Sequence, residues 1–148
     1  MLTKEEIDNW MARDLIGDIY EMHEKFGVYK WLQNATVEQR KELMKLRMRM
    51  LTEEYAETMN AYLEGNPEEV VDGLIDIIVI AIGTLDTAGV DAEQAWDAVH
   101  SANMDKQPGV KPGRPNPLGL PDLIKPKGWT SPEHTDNHGD LKAIFKAS

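Results

Sequence analysis

Along the first hundred residues apolar side chains recur at three- and four-residue steps, the period of one helix face. Ile7, Trp10, Met11, Leu15, Ile19, Met22 and Phe26 follow a Thr3-x-x-Glu6 capping box and predict a first helix that stops at Gly27. A second capping box, Thr36-x-x-Gln39, opens a long helix carrying Leu43, Leu46, Met50, Leu51, Tyr55, Met59 and Leu63 and ending near Gly65. The third start has Asn66 as N-cap, Pro67 at the first helical position, and Glu68 and Glu69 in the positive first turn. That helix is apolar almost all round, from Val70 through Leu74, Ile75, Ile77, Ile78, Val79, Ile80 and Ile82, which predicts a central place in the core. A fourth follows Gly89, with Asp91 and Gln94 as capping pair and Ala95, Val99 and Ala102 facing inward. The pattern therefore predicts an all-α fold, a four-helix bundle over residues 1–106 that forms the functional domain. Seven of the eight prolines lie at or beyond Pro108, so residues 107–148 read as a Pro/Gly-rich C-terminal arm, with a short helical turn at 141–145. No internal repeat or low-complexity tract interrupts this division.

Composition narrows the chemistry. The 148 residues carry 26 acidic and 16 basic side chains, a formal charge of −10, and 41% apolar residues, enough for one domain to bury a core without staples. Zero cysteines exclude disulfides, thiol nucleophiles and Cys-ligated zinc or iron–sulfur sites, and agree with a cytoplasmic protein. The net negative charge disfavours nucleic-acid polymers as partners. The run from Val70 to Leu85 is too short to span a bilayer and contains Asp72 and Asp76, so no membrane role is expected, and the acidic start MLTKEEIDNW is unlike a signal peptide.

Two acidic stripes stand out. On the second predicted helix Glu53, Glu54 and Glu57 form E-E-x-x-E, with Glu57 one turn from both others; on the third, Glu69, Asp72 and Asp76 share a face at steps of three and four. Ordinary explanations exist for most of them. Glu53 and Glu54 suit a solvated face with Arg47 and Arg49 as helical-turn partners; Glu69 suits a capping role; Asp72 suits the helix dipole. Asp76, flanked by Ile75 and Ile77, needs either a buried Lys or Arg partner or a metal ion, because an ionised carboxylate among aliphatics is costly. With only oxygen ligands the matching ion is hard, Mg²⁺ or Mn²⁺. Trp10, Trp31, Trp96 and Trp129 suit base stacking or the core, His23 and His100 a site or a structural hydrogen bond, and the methionines packing.

These residues carry a resemblance. E-E-x-x-E on one helix, an acidic stripe on the next and H-S-A-N-M-D-K (residues 100–106) closing a fourth resemble the all-α nucleoside triphosphate pyrophosphohydrolases, the MazG-like group that includes dimeric dUTPases and phosphoribosyl-ATP pyrophosphohydrolase. M-H-E-K-F-G-V (22–28), D-G-L-I-D-I-I-V-I-A-I-G-T (72–84) and K-P-K-G-W-T-S-P (125–132) extend the resemblance over residues 15–132. It implies Mg²⁺-dependent cleavage of a (deoxy)nucleoside triphosphate to monophosphate and pyrophosphate, in a homodimer or homotetramer. Glu53, Glu54, Glu57 and Asp76 then match metal ligands or water-activating carboxylates, with Glu53 and Glu54 the catalytic pair, and Asn103 and Lys106 match positions that grip phosphates. The family pattern E-x-x-D, read with Asp76 as its aspartate, meets Gly73 where the glutamate belongs; Asp72, on the same face, is the expected substitute ligand. Asn103 and Lys106 also suit a plain helix C-terminus. Two alternatives remain open: a phosphoribosyl-ATP pyrophosphohydrolase-like enzyme, and a non-catalytic acidic helical oligomer or adaptor.

Overall fold

The computed structural model describes residues 1–11, 14–114, 118 and 122–147; the side chains of Trp10 and Met11 lie outside the described residues. Seven helices and one two-stranded hairpin occur among them, in the order α1 (Lys4–Met11), α2 (Leu15–Lys25), α3 (Val28–Asn34), α4 (Val37–Glu64), α5 (Pro67–Thr87), α6 (Ala92–Met104), β1 (Gln107–Gly109), β2 (Asp122–Ile124) and α7 (Leu141–Lys146). The chain folds as two compact units, residues 1–92 with 138–148, and residues 93–137.

The caps explain where helices begin and end. Thr3 and Glu6 bond reciprocally at α1, the Thr3 N–H donating to Glu6 Oε2 at 2.7 Å and the Glu6 N–H to Thr3 Oγ1 at 3.1 Å. The single helix expected from Ile7 to Phe26 is instead two, since Asp14 accepts from the Gly17 N–H at 2.7 Å and starts α2 afresh. An aspartate that caps its own downstream backbone competes with helix continuation, and periodicity cannot register this. Gly27 ends α2 as expected, at φ +75°, but the chain restarts at once as α3. The Thr36–Gln39 capping box, the left-handed Gly65 and the Asn66 cap on the Glu69 N–H all form as the sequence predicts.

In the first unit α4 and α5 pair along their lengths, with α2 and α3 against α5 and α7 against α4. The C-terminal segment is tied down here: the Asp140 N–H donates to the Ala88 carbonyl at 2.7 Å, Arg40 pairs with Asp140, and Lys41 donates to the Ala147 carbonyl. Ile19, Ala61, Ile80, Ala88 and Ile144 are buried. The expectation that the apolar third helix is central needs correction for the isolated chain. Val71, Leu74, Ile75 and Ile78 of α5 are exposed, at 64%, 52%, 54% and 44%. Their spacing is one helical stripe, which the helices packed on α5 leave uncovered. No helix among the described residues is long and apolar enough to cross a membrane.

In the second unit α6 runs into an antiparallel hairpin, an addition to the all-α expectation, with Gln107 opposite Ile124 and Gly109 opposite Asp122. The three-residue strands alternate weakly and are framed by Pro and Gly, so they left no strand signal in the sequence.

Candidate active site: an acidic cleft between two helices

The long capped helix α4 and its neighbour α5 bring their acidic stripes face to face. Glu54, Glu57 and Thr58 from α4 and Glu69, Asp72, Gly73 and Asp76 from α5 line one cleft of about 80 Å³. Gly73 permits the approach. A Cβ there would collide with Thr58 Oγ1 and stand 3.1 Å from Thr58 Cβ, and Thr58 is fixed by donating to the Glu54 carbonyl at 2.7 Å. The carboxyl of Glu54 is pushed above the usual carboxylate range, chiefly by partial desolvation and then by the charges of Asp76, Glu57, Asp72 and Glu53.

Five of the predicted metal residues are thereby sorted. Glu54, Glu57, Asp72 and Asp76 reach the cleft; Glu53 is exposed beside it and acts on Glu54 only through its charge. Neither ordinary partner of these carboxylates is found: among the described residues no Lys or Arg pairs with Asp76, Glu53, Glu54 or Glu57. Arg47 turns away to α5, donating from Nε to Thr84 Oγ1 at 2.9 Å, and Arg49 lines a separate groove with Trp31, Glu42 and Leu46. That groove, of about 510 Å³, is larger than the acidic cleft but carries no comparable gathering of carboxylates. Trp31 and Trp96 are exposed rather than core.

Glu69 is the residue that sequence reasoning undervalued. Its backbone N–H is capped by Asn66, which leaves its side chain free to line the cleft. Read one turn earlier, Glu69-x-x-Asp72 supplies the E-x-x-D spacing that Gly73 broke, and Asp76 adds a further carboxylate on the same stripe. Gly73 then has its own purpose, helix contact.

The donor set consists of carboxylate oxygens, the set a hard divalent cation takes. Among the described residues no three acidic or imidazole groups are already gathered into a cage, so ion binding requires rotation of these flexible side chains. Glu54, Glu57, Glu69, Asp72 and Asp76 have the chemistry and the shared cleft for it.

A second polar cluster in the same unit takes up His23, which the sequence left between a site and a structural hydrogen bond. His23, only 4% exposed, bonds through Nδ1 to Asp86 Oδ2 at 2.6 Å, and the Tyr29 hydroxyl donates to the same oxygen at 2.8 Å. Since a carboxylate only accepts, the His23 proton in this bond is on Nδ1. Burial, then the hydrogen bond and charge of Asp86, drive the Tyr29 hydroxyl far above its ordinary value of 10.0. Arg47 crosses α5 over Gly83 to reach Thr84 and the Ile80 carbonyl. This network ties α2, α3 and α4 to α5, and resolves His23 as a structural histidine.

In the second unit Asn103 is exposed near the end of α6, and the Lys106 ammonium lies over the Trp129 ring, 5.5 Å from its centroid.

A family model described as phosphoribosyl-ATP pyrophosphohydrolase matches residues 20–103, more than half of the chain. The chain belongs to this family. Its members are hydrolases acting on acid anhydrides, and the matched span contains every carboxylate of the cleft as well as Asn103, stopping short of Lys106 and the hairpin. The match favours the phosphoribosyl-ATP alternative over a free nucleoside triphosphate. No curated protein matches the chain.

Proposed function

We propose that this member of the phosphoribosyl-ATP pyrophosphohydrolase family is a Mg²⁺- or Mn²⁺-dependent enzyme that hydrolyses the α–β phosphoanhydride of a nucleoside triphosphate unit. Phosphoribosyl-ATP is the first substrate to test, ahead of free (deoxy)nucleoside triphosphates. The reading rests on one observation above others: five carboxylates from α4 and α5 line one cleft, with no basic partner among the described residues, inside the family-matched span.

Bound there, a divalent ion supplies charge neutralisation for the triphosphate and acidifies a coordinated water. Glu57, Glu69, Asp72 and Asp76 would hold it. Glu54, which lines the cleft from α4, would orient and deprotonate the attacking water as general base. Glu53, outside the cleft, modulates Glu54 electrostatically. Lys106 offers a point charge and Asn103 an amide donor to phosphate oxygens. The exposed stripe of α5 is covered by a second copy of the chain, giving a homodimer or homotetramer.

Hydrolysis of phosphoribosyl-ATP and the common (deoxy)nucleoside triphosphates in ¹⁸O-labelled water with Mg²⁺ tests the reaction. Pyrophosphate is expected, with label in the monophosphate product when attack is at the α-phosphorus. Orthophosphate release, or no turnover of any of these substrates, overturns the proposal.

A further inference from the structure

Charge is distributed unevenly along this acidic chain. Residues 106–127 contain five cations, Lys106, Lys111, Arg114, Lys125 and Lys127, against one acid, Asp122, so a net positive stretch is embedded in a protein of charge −10. Lys111 and Arg114 are satisfied by Asp122, at 3.6 and 3.2 Å. Lys106 and Lys125 are not paired with any acid among the described residues.

The hairpin sets these two lysines together. Gln107 is opposite Ile124, so the next pair outward in the same antiparallel register is Lys106 and Lys125. Opposed like charges destabilise a hairpin. Here, moreover, both are gathered onto one indole: the Lys106 and Lys125 ammoniums lie 5.5 and 4.9 Å from the centroid of Trp129. The Pro126–Lys127–Gly128–Trp129 turn brings the indole there. The Trp129 N–H donates to the Pro126 carbonyl at 3.0 Å, and Gly128 has φ +83°, a conformation L side chains rarely adopt. Trp129 Nε1 then donates to the Ala102 carbonyl at 2.7 Å, one of the last carbonyls of α6, which locks the indole against the end of the helix. The K-P-K-G-W segment thus brings a second ammonium to the same indole that Lys106 meets.

We propose that Lys106, Lys125 and Trp129 form a polyphosphate-binding site, in which the arm contributes Lys125 as a second cation and Trp129 as the rigid platform holding both. A cation–π contact uses one side of each ammonium and leaves its remaining N–H groups to donate to phosphate oxygens. An anion bridging the pair also relieves their mutual repulsion. The ligand class is a chain of two or three phosphates. Its identification with the triphosphate of the substrate rests on the proposed function, and the site lies outside the family-matched span of residues 20–103.

Titration calorimetry of the full chain with inorganic tripolyphosphate in EDTA, where no divalent ion can bridge, tests the site. Lys125→Gln is expected to weaken binding about tenfold, the loss of one charge-assisted contact. Lys125→Arg should restore most of it, and Lys127→Gln, which removes an equal charge away from the indole, should change it less than twofold. Trp129→Leu should match or exceed the loss in Lys125→Gln. With a turned-over triphosphate, Lys125→Gln should raise KM while kcat stays near the parent. Equal tripolyphosphate affinity in parent and Lys125→Gln, or equal losses from Lys125→Gln and Lys127→Gln, overturns the site. Unchanged KM in an active enzyme overturns its service to the substrate and leaves the reaction standing. Absence of turnover overturns the reaction and leaves the binding comparison to decide the site.

Discussion

Gly73→Ala probes the contact on which the acidic cleft depends. In an open helix the change stabilises, by about 1 kcal/mol, because glycine is the poorer helix former. Here the new methyl meets Thr58 Oγ1 far inside contact distance and Thr58 Cβ at 3.1 Å. Thr58 is buried, β-branched and bonded to the Glu54 carbonyl, so it cannot swing aside freely. Either the hydrogen bond is lost, about 1 kcal/mol, or α4 and α5 move apart, an overpacking cost of about 1–3 kcal/mol. Set against the propensity gain, loss of the hydrogen bond alone comes out near neutral, and separation of the helices destabilises by up to about 2 kcal/mol, which lowers Tm by up to roughly 8 °C in a chain of this size. Melting should be followed by circular dichroism in EDTA at fixed protein concentration. Thr58→Ala removes the obstructing oxygen, so Thr58→Ala/Gly73→Ala should recover the loss, with a coupling of about 1 kcal/mol or more. If Gly73→Ala shows the full gain of about 1 kcal/mol expected in an open helix, or the double variant is no better than Gly73→Ala, the close α4–α5 contact does not exist. In that case the carboxylates are not held across one cleft.

Glu54→Gln should stabilise the metal-free protein near neutral pH. The folded state holds the Glu54 proton more tightly than the unfolded chain, so this group's contribution declines as pH rises through its elevated pKa, and the parent–variant gap should close on acidification. The same substitution should abolish turnover, whereas a neutral variant less stable than the parent in EDTA would mean that Glu54 is not under repulsion. Millimolar Mg²⁺ or Mn²⁺ should raise the parent's Tm, by the equivalent of about 2.7 kcal/mol at a hundred times Kd, and an unchanged melt removes the metal from the site. Tyr29 keeps its proton in the folded state after the unfolded chain has lost it, so stability should fall as pH climbs above 10; Tyr29→Phe should lose about 1 kcal/mol at neutral pH but show a shallower alkaline decline. Light scattering at micromolar concentration should give a mass of two or four chains, and a single-chain mass of 16.7 kDa would refute the covering of the α5 stripe.

Local chemistry was legible where it is local in cause. Thr36 with Gln39, Asn66 with Pro67, and the left-handed glycines at 27 and 65 act within a few residues of themselves, and they set α4 and α5, and with them the placement of both acidic stripes. Side-chain spacing on those helices was enough to nominate Glu54, Glu57, Asp72 and Asp76. The first predicted helix failed at Asp14 because an aspartate can as readily cap a new helix as decorate an old one, and an apolar period continues through either outcome.

What required the tertiary structure was everything decided by one helix facing another. Glu69 read as a cap until α4 was seen opposite it, and Gly73 read as a missing ligand until Thr58 occupied the space its side chain would need. His23, Tyr29 and Asp86 are distant in sequence, and their hydrogen bonds form only because α2 and α3 pack on α5. Lys106 and Lys125 are 19 positions apart with no periodic link; the register of three-residue strands and one indole make them neighbours. A sequence carries the propensities and the chemical inventory, while proximity between distant residues is a property of the packing those propensities select.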